Sequence, residues 1–119
     1  MEPRSYRVTR ADLVAYAEAS GDHNPIHQDE SVALSVGLPG VIAHGMYTLA
    51  LAARYVDETL GRPGRIAEIG AKFIRPVVVP EDGVELVVAG ERRDGRTIAL
   101  TVTCDGERVL GAASVVLDG

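Results

Sequence analysis

The stretch that decides the fold is Gly45-Met46-Tyr47-Thr48-Leu49-Ala50-Leu51-Ala52-Ala53-Arg54-Tyr55-Val56-Asp57-Glu58-Thr59-Leu60, closed by Gly61 and followed by Pro63. No proline interrupts it, glycine is the usual residue just past a helix end, and the proline beyond cannot continue a helix. The spacing therefore predicts one long helix over 45–60. Its centre, Met46 to Ala53, is apolar nearly all round, the pattern of a buried helix rather than a surface one. Its alanines let surrounding backbone approach closely.

Downstream, the chain supplies the cover such a helix needs. Ile66 to Ile74, closed by Pro76, reads as a strand, and Val84 to Arg92 as a second. Arg93-Asp94-Gly95-Arg96 carries an Asp-Gly hairpin signal. Thr97 to Cys104 alternates cleanly, with Ile98, Leu100, Val102 and Cys104 on one face. A buried structural role is expected for Cys104, which follows that apolar alternation. Asp105-Gly106 signals another hairpin, and Glu107 to Leu117 is the last strand. Antiparallel strands with one apolar face pack that face on a core.

Upstream, Ser5 to Val8 is a short strand and Thr9 an N-cap, with Asp12 completing a capping-box variant. Leu13, Tyr16 and Ala17 share a helical face that ends at Ser20-Gly21. Asp22 to Gln28 is a loop, because Pro25 forbids helix continuation. Asp29 to Val36 forms a short helix stopped by Gly37. Helices first and strands after favour α+β over alternating α/β. The expected architecture is a curled antiparallel sheet around a long central helix. With no internal repeat or linker, residues 1–119 read as a single domain.

The composition excludes several functions. The chain has 119 residues, 46% hydrophobic and 24% charged, enough apolar content for a true core. Phe73 and four tyrosines are its only aromatics, so that core is aliphatic. Twelve basic against 17 acidic residues give a net charge of −5, which argues against nucleic-acid binding. A local basic patch for an anionic ligand stays compatible with it, and eleven of the basic residues are arginine. One cysteine permits no internal disulfide. Met1-Glu2-Pro3-Arg4 does not open a signal peptide, and no run of about 18 apolar residues predicts a membrane span. A cytoplasmic location is the expectation.

Polar chemistry concentrates in Ser20-Gly21-Asp22-His23-Asn24-Pro25-Ile26-His27. Asp22 and His27 are a carboxylate and an imidazole on one proline-stiffened segment. Such a pair can hold a water between them, His27 taking a proton and Asp22 orienting the molecule. The plainer reading is that Asp22 and Asn24 only form turns and His27 lies at the surface. Metal ligation by His23 and His27, with Asp29 and His44, is disfavoured because Pro25 keeps the two histidines off one helical face. A second feature is Ala43-His44-Gly45-Met46. Gly45 opens the long helix, so its N–H points out of a positive dipole end and, lacking Cβ, lets a ligand carbonyl come close. That is the chemistry of an oxyanion hole. The plainer reading makes Gly45 a packing residue and His44 a neighbour of the cap. No nucleophile elbow or phosphate-binding glycine loop is present.

The segment Tyr16-Ala17-Glu18-Ala19-Ser20-Gly21-Asp22-His23-Asn24-Pro25-Ile26-His27, with Ala33 after it, resembles the hydratase-2 motif of (R)-specific enoyl-CoA hydratases and MaoC-like dehydratases. Ala43-His44-Gly45-Met46 and Lys72-Phe73-Ile74-Arg75-Pro76-Val77 resemble the same family. Within it, Thr9-Arg10-Ala11-Asp12-Leu13-Val14, Asn24-Pro25-Ile26-His27 and Ile42-Ala43-His44-Gly45-Met46 are similar to the catalytic β subunits of (3R)-hydroxyacyl-ACP dehydratases. The departures are Ala19, where a larger aliphatic or glycine is usual, and the near absence of a strand-and-turn segment ahead of Tyr6. The resemblance implies a hot-dog fold and an acyl-CoA or acyl-ACP thioester substrate. It implies catalysis by Asp22 and His27, carbonyl polarisation at Gly45, and a substrate-side or loop-holding role for Asn24. No metal or redox cofactor is implied. It also implies a homodimer, with a heterodimer of related hot-dog subunits as the alternative, and an acyl tunnel shared between subunits. Some arginines are then expected to cluster at the tunnel mouth. A hot-dog acyl thioesterase or a non-catalytic acyl-thioester binding subunit would share the fold, but neither needs both Asp22 and His27.

Overall fold

A computed structural model describes residues 1–62 and 64–118; Pro63, expected to follow the long helix, lies outside them. Helix α1 (Arg10–Ser20) starts at Thr9, whose hydroxyl accepts from the Asp12 N–H at 3.2 Å while the Thr9 N–H donates to the Asp12 carboxylate at 2.8 Å. This reciprocal capping box satisfies two amide donors at the helix start. Gly21, at φ 79°, ends the helix in the left-handed conformation. Helix α2 (Glu30–Ser35) is capped by Asp29, which accepts from the Val32 N–H and the Ser31 hydroxyl. Those bonds, the Ser31 one foremost, hold the Asp29 carboxyl below its usual range. Helix α3 (Gly45–Leu60) runs between its two glycines as the sequence predicts.

Strands β1 (Arg4–Val8), β2 (Ile66–Phe73), β3 (Val84–Arg92), β4 (Thr97–Cys104), β5 (Glu107–Arg108) and β6 (Leu110–Leu117) form one antiparallel sheet. Its order is β1-β3-β4-β6-β2, with β5 paired to β4 off that path. Alternate residues point inward: Val84, Leu86 and Val88 from β3, and Ile98, Leu100 and Val102 from β4. With Leu51, Ala52, Tyr55 and Val56 of α3 they make a core that is aliphatic apart from Tyr55 and Tyr6, contrary to the expectation that it holds no aromatic ring.

Tyr55 is the polar anchor of that core. Its ring is fully buried, its hydroxyl accepts from the Gly90 N–H at 3.0 Å, and it donates to the Glu2 carbonyl at 2.8 Å. A Cβ on Gly90 would stand 3.2 Å from the Tyr55 ring, so glycine there gives the helix room against the sheet. Tyr55→Phe keeps the ring and strands the Gly90 donor. The expected cost is about 1–2 kcal/mol, read as a lower urea midpoint at unchanged slope. An unchanged midpoint would mean the hydroxyl contributes nothing. At the end of α3, the Tyr6 hydroxyl donates to Glu58 at 2.6 Å, tying β1 to the helix. Burial, and then Glu58 itself, push the Tyr6 phenol up to about 12.

Four further expectations need correction. Helix α3 is not covered all round: Met46, Ala50 and Arg54, four residues apart, form an open stripe, with Met46 59% exposed. The last strand is not continuous from Glu107 to Leu117 but breaks at Val109, and β6 then bulges against β2. Gly70 pairs with Ser114 but Lys72 with Gly111, one extra residue on β6, which Ala112 absorbs at φ 48°. That shift moves the buried set from Leu110 to Ala113, Val115 and Leu117. The loop after α1 contains a 3₁₀ turn, Pro25–His27. Cys104 ends β4 only half-buried, its thiol pushed up by burial and then by Asp105. No helix among the described residues is long and apolar enough to cross a membrane.

Candidate active site

Two segments distant in sequence are laced together beside the start of α3. In the first, side chains build successive tight turns: the Asn24 N–H donates to Asp22 Oδ1 at 3.2 Å, and the Ile26 N–H to Asn24 Oδ1 at 3.2 Å. Pro25 then opens the 3₁₀ turn with its fixed φ. The result turns His27 inward, 8% exposed, while residues 22–25 stay at the surface. In the second segment, Val41 to Ala43 pairs with Val77 to Val79: the Ala43 N–H donates to the Val77 carbonyl at 2.9 Å and the Val79 N–H to the Val41 carbonyl at 2.8 Å. The Ile42 N–H donates to the Ile26 carbonyl at 3.2 Å and joins the two.

The histidine tautomers follow from their partners. His27 Nδ1 lies 2.7 Å from the Ile42 carbonyl, which only accepts, so Nδ1 carries the proton and the neutral ring keeps a lone pair on Nε2. His44, 2% exposed, is the N-cap residue of α3, yet its side chain makes no cap bond. Its Nε2–H instead donates to the Asp22 carbonyl at 3.0 Å. The buried Nδ1 of His44 has no partner among the described residues, an orphan acceptor of the kind that costs about 1–3 kcal/mol. The His27 and His44 rings stack at 3.8 Å with 23° between planes, and Tyr16 packs on His44 at 4.8 Å.

A carboxylate oxygen of Asp22 and ring nitrogens of His27 and His44 all lie within 4.8 Å of one another. One water accepting and donating bonds of about 2.8 Å spans such a gap. The same three residues are a 2-His-1-carboxylate set in composition. However, His27 Nδ1 and His44 Nε2 are committed to carbonyls, and the near-parallel stacked rings keep their remaining lone pairs in separate planes. The arrangement suits proton transfer better than ligation.

A cavity of about 360 Å³ opens beside this cluster, lined by His27, Ile42, Gly45, Thr48, Val77 and Leu110 among others. Asp22, His44, Gly45, Met46 and Phe73 line a second depression. Gly45 and Phe73 border both. As the first residue of α3, Gly45 has an N–H with no acceptor inside the helix. A Cβ there would stand 3.1 Å from the Phe73 ring.

Asp22, His27 and Gly45 are thus brought to one place. Asn24 borders neither cavity; its side chain holds the turn. His23 is exposed and Asp29 caps α2, so neither joins the cluster. Among the described residues one arginine, Arg75, lines the cavity beside His27, where a cluster was expected. It is 57% exposed and 3.8 Å from Glu107. Tyr16 and Phe73 enter the site without having been singled out for it, and the sequence points to His44 only in the disfavoured metal reading and as a neighbour of the cap. Phe73 stood in the Lys72-to-Val77 stretch, but nothing local pairs it with Gly45.

Comparison with known proteins shows the family. A family model described as "MaoC like domain" matches residues 1–108. The chain is 35% identical over 85 residues to 3-hydroxyacyl-thioester dehydratase X of Mycobacterium tuberculosis, covering 71% of this chain and 29% of that one. It is 33% identical over 114 residues to 3-hydroxybutyryl-CoA dehydratase of Methylorubrum extorquens, covering 92% of this chain and 72% of that one. The solved (R)-hydratase from A. caviae involved in PHA biosynthesis superposes with a TM-score of 0.84 at 25% identity, over 98% of this chain and 92% of that one. Several other relatives are far longer: the chain spans 3–5% of the fatty acid synthase β subunits it matches.

Proposed function

The chain belongs to the MaoC-like domain family, a hot-dog fold of acyl-thioester hydratases and dehydratases, and from that premise we propose that it adds water reversibly to trans-2-enoyl thioesters, giving (3R)-hydroxyacyl thioesters. What supports this reading is the nearness of the two groups: an Asp22 carboxylate oxygen and a His27 ring nitrogen lie within 4.8 Å, a separation one water can bridge, and His27 lines a cavity together with Gly45.

The chemistry follows from that arrangement. The thioester carbonyl rests on the Gly45 N–H at the positive end of α3. A water held by the Asp22 carboxylate gives a proton to His27 Nε2 as its oxygen bonds to C3. The C2=C3 π pair shifts toward the carbonyl oxygen, where the helix end meets the growing charge. The pair then returns a proton to C2, so one water is consumed and no other reactant is needed. Dehydration runs the same steps backward. The CoA or ACP arm is a carrier. A homodimer, or a heterodimer with a related subunit, completes the acyl tunnel. Support comes from the apolar surface at Met46, Phe73 and Ile74, each at least 50% exposed in the single chain.

The test is an assay of the purified protein, alone and with a hot-dog partner subunit, on trans-2-enoyl-CoA and enoyl-ACP. Loss of the conjugated-enoyl absorbance with formation of the (3R)-alcohol is expected. Release of free thiol without hydration would mean a thioesterase, and tight binding without turnover a non-catalytic subunit.

A further inference from the structure

We infer that His44 is a positioning residue for the hydration site, acting on both members of the Asp22–His27 pair and touching no reacting atom. The inference rests on the hydratase reading above. Three observations carry it.

First, His44 occupies an N-cap position but leaves the cap unmade. Its Nε2–H is spent on the backbone carbonyl of Asp22, 22 residues earlier, which fixes the height of the loop that carries the carboxylate. Second, its ring lies flat on His27 at 3.8 Å. The Ile42 carbonyl sets the tautomer of His27, and the His44 face limits how far that ring can swing about the bond. Tyr16 backs His44 at 4.8 Å, and Tyr47 backs Tyr16 edge-on at 5.4 Å, so the plate does not yield. Third, His44 is the residue immediately before Gly45, so the same backbone that holds the pair also presents the carbonyl-binding N–H.

One residue therefore fixes the separation of base, carboxylate and amide. Its orphaned, fully buried Nδ1 is what a residue kept only for volume would avoid. A phenylalanine would fill the same space without an unpartnered acceptor. The Nε2–H bond to Asp22 is the part of histidine that phenylalanine lacks.

The variants separate the two contacts. His44→Gln can place an amide N–H where Nε2 sits and so keep the bond to Asp22; His44→Phe keeps the flat face and loses the bond; His44→Ala loses both. With His44→Ala, kcat is expected to fall roughly 10- to 100-fold while KM moves less than about threefold, since misplacing reacting groups by an ångström has effects of that size. His44→Gln is expected within about fivefold of the parent kcat, and His44→Phe near the alanine value. A glutamine variant no better than phenylalanine, or an alanine variant with parental kcat, would overturn the inference. A loss seen in KM alone would do the same.

Imidazole nitrogen NMR on the parent, and carbonyl-carbon NMR on the parent and the phenylalanine and glutamine variants, read the contact without substrate. His44 is expected as the Nε2–H tautomer in the parent. The Asp22 carbonyl resonance is expected to shift in the phenylalanine variant and stay in the glutamine one. If these signatures appear in a protein that hydrates no enoyl thioester, the hydratase reading fails while the His44 contact stands. If turnover is present and the signatures are absent, the positioning role fails alone.

Discussion

Asp22→Asn and His27→Ala are each expected to lower kcat/KM by about 10³-fold, with the folded state intact. General acid–base groups contribute about 10²–10⁴ in rate, and these two act on one water, so each loss removes most of what the pair supplies. For the same reason the double variant is expected near the worse single variant rather than at the product of the two. Asp22 is the cleaner probe. Its Oδ1 accepts from the Asn24 N–H at 3.2 Å, a bond an asparagine side-chain oxygen reproduces, so the loop turn survives while the charge is lost. His27 is 8% exposed and holds the Ile42 carbonyl, so alanine there also leaves a void, and a melting curve must accompany the rate. Near-parental turnover in Asp22→Asn would remove Asp22 from the chemistry and leave it as a turn residue.

The second large effect is expected at Gly45. Gly45→Ala is expected to cut kcat/KM by about 10²-fold or more, the loss seen when an oxyanion donor no longer reaches its oxygen. The amide itself remains; the new methyl stands where the carbonyl must come and 3.1 Å from the Phe73 ring. Phe73 is 56% exposed and can swing aside, and alanine is a better helix former than glycine by about 1 kcal/mol, so thermal stability is expected to hold or rise. Activity and stability should therefore move apart. A variant that stays active would mean that the helix end does not hold the carbonyl. A variant that loses stability and activity together would make Gly45 a packing residue.

The parts of this molecule that were legible in its sequence are those fixed by local chemistry. The bounds of α3 follow from Gly45 and Gly61, and those of β4 from an unbroken alternation between two Asp-Gly turns. The Thr9–Asp12 box likewise announces α1. The bulge at Ala112 was not legible, because alanine carries no signal for a left-handed φ; pairing with Gly70 and Lys72 of β2 imposes it. The open stripe Met46-Ala50-Arg54 was hidden by an apolar sequence that reads as buried on every side, whereas a single sheet wraps only part of the helix.

The site divides along the same line. Asp22 and His27 stand five residues apart in a motif whose loop is built by its own side chains, so their convergence had a local cause. His44 read as a neighbour of the cap because it precedes a helix. Its bond to the Asp22 carbonyl depends on Ile42 docking on Ile26, and on Val41 to Ala43 pairing with Val77 to Val79, contacts that no local pattern displays. The closeness of Phe73, whose ring would stand 3.1 Å from a Cβ placed on Gly45, likewise depends on β2 returning past the start of α3.

The central claim is that one water between Asp22 and His27 meets C3 of a thioester whose carbonyl is held by Gly45. A crystal structure of Asp22→Asn with a bound trans-2-enoyl thioester tests it most directly. The predicted result is a carbonyl oxygen about 2.9 Å from the Gly45 nitrogen, with a water on His27 Nε2 about 3–3.5 Å from C3. A thioester seated with its carbonyl away from the α3 N-terminus, or with C3 out of reach of that water, would contradict it.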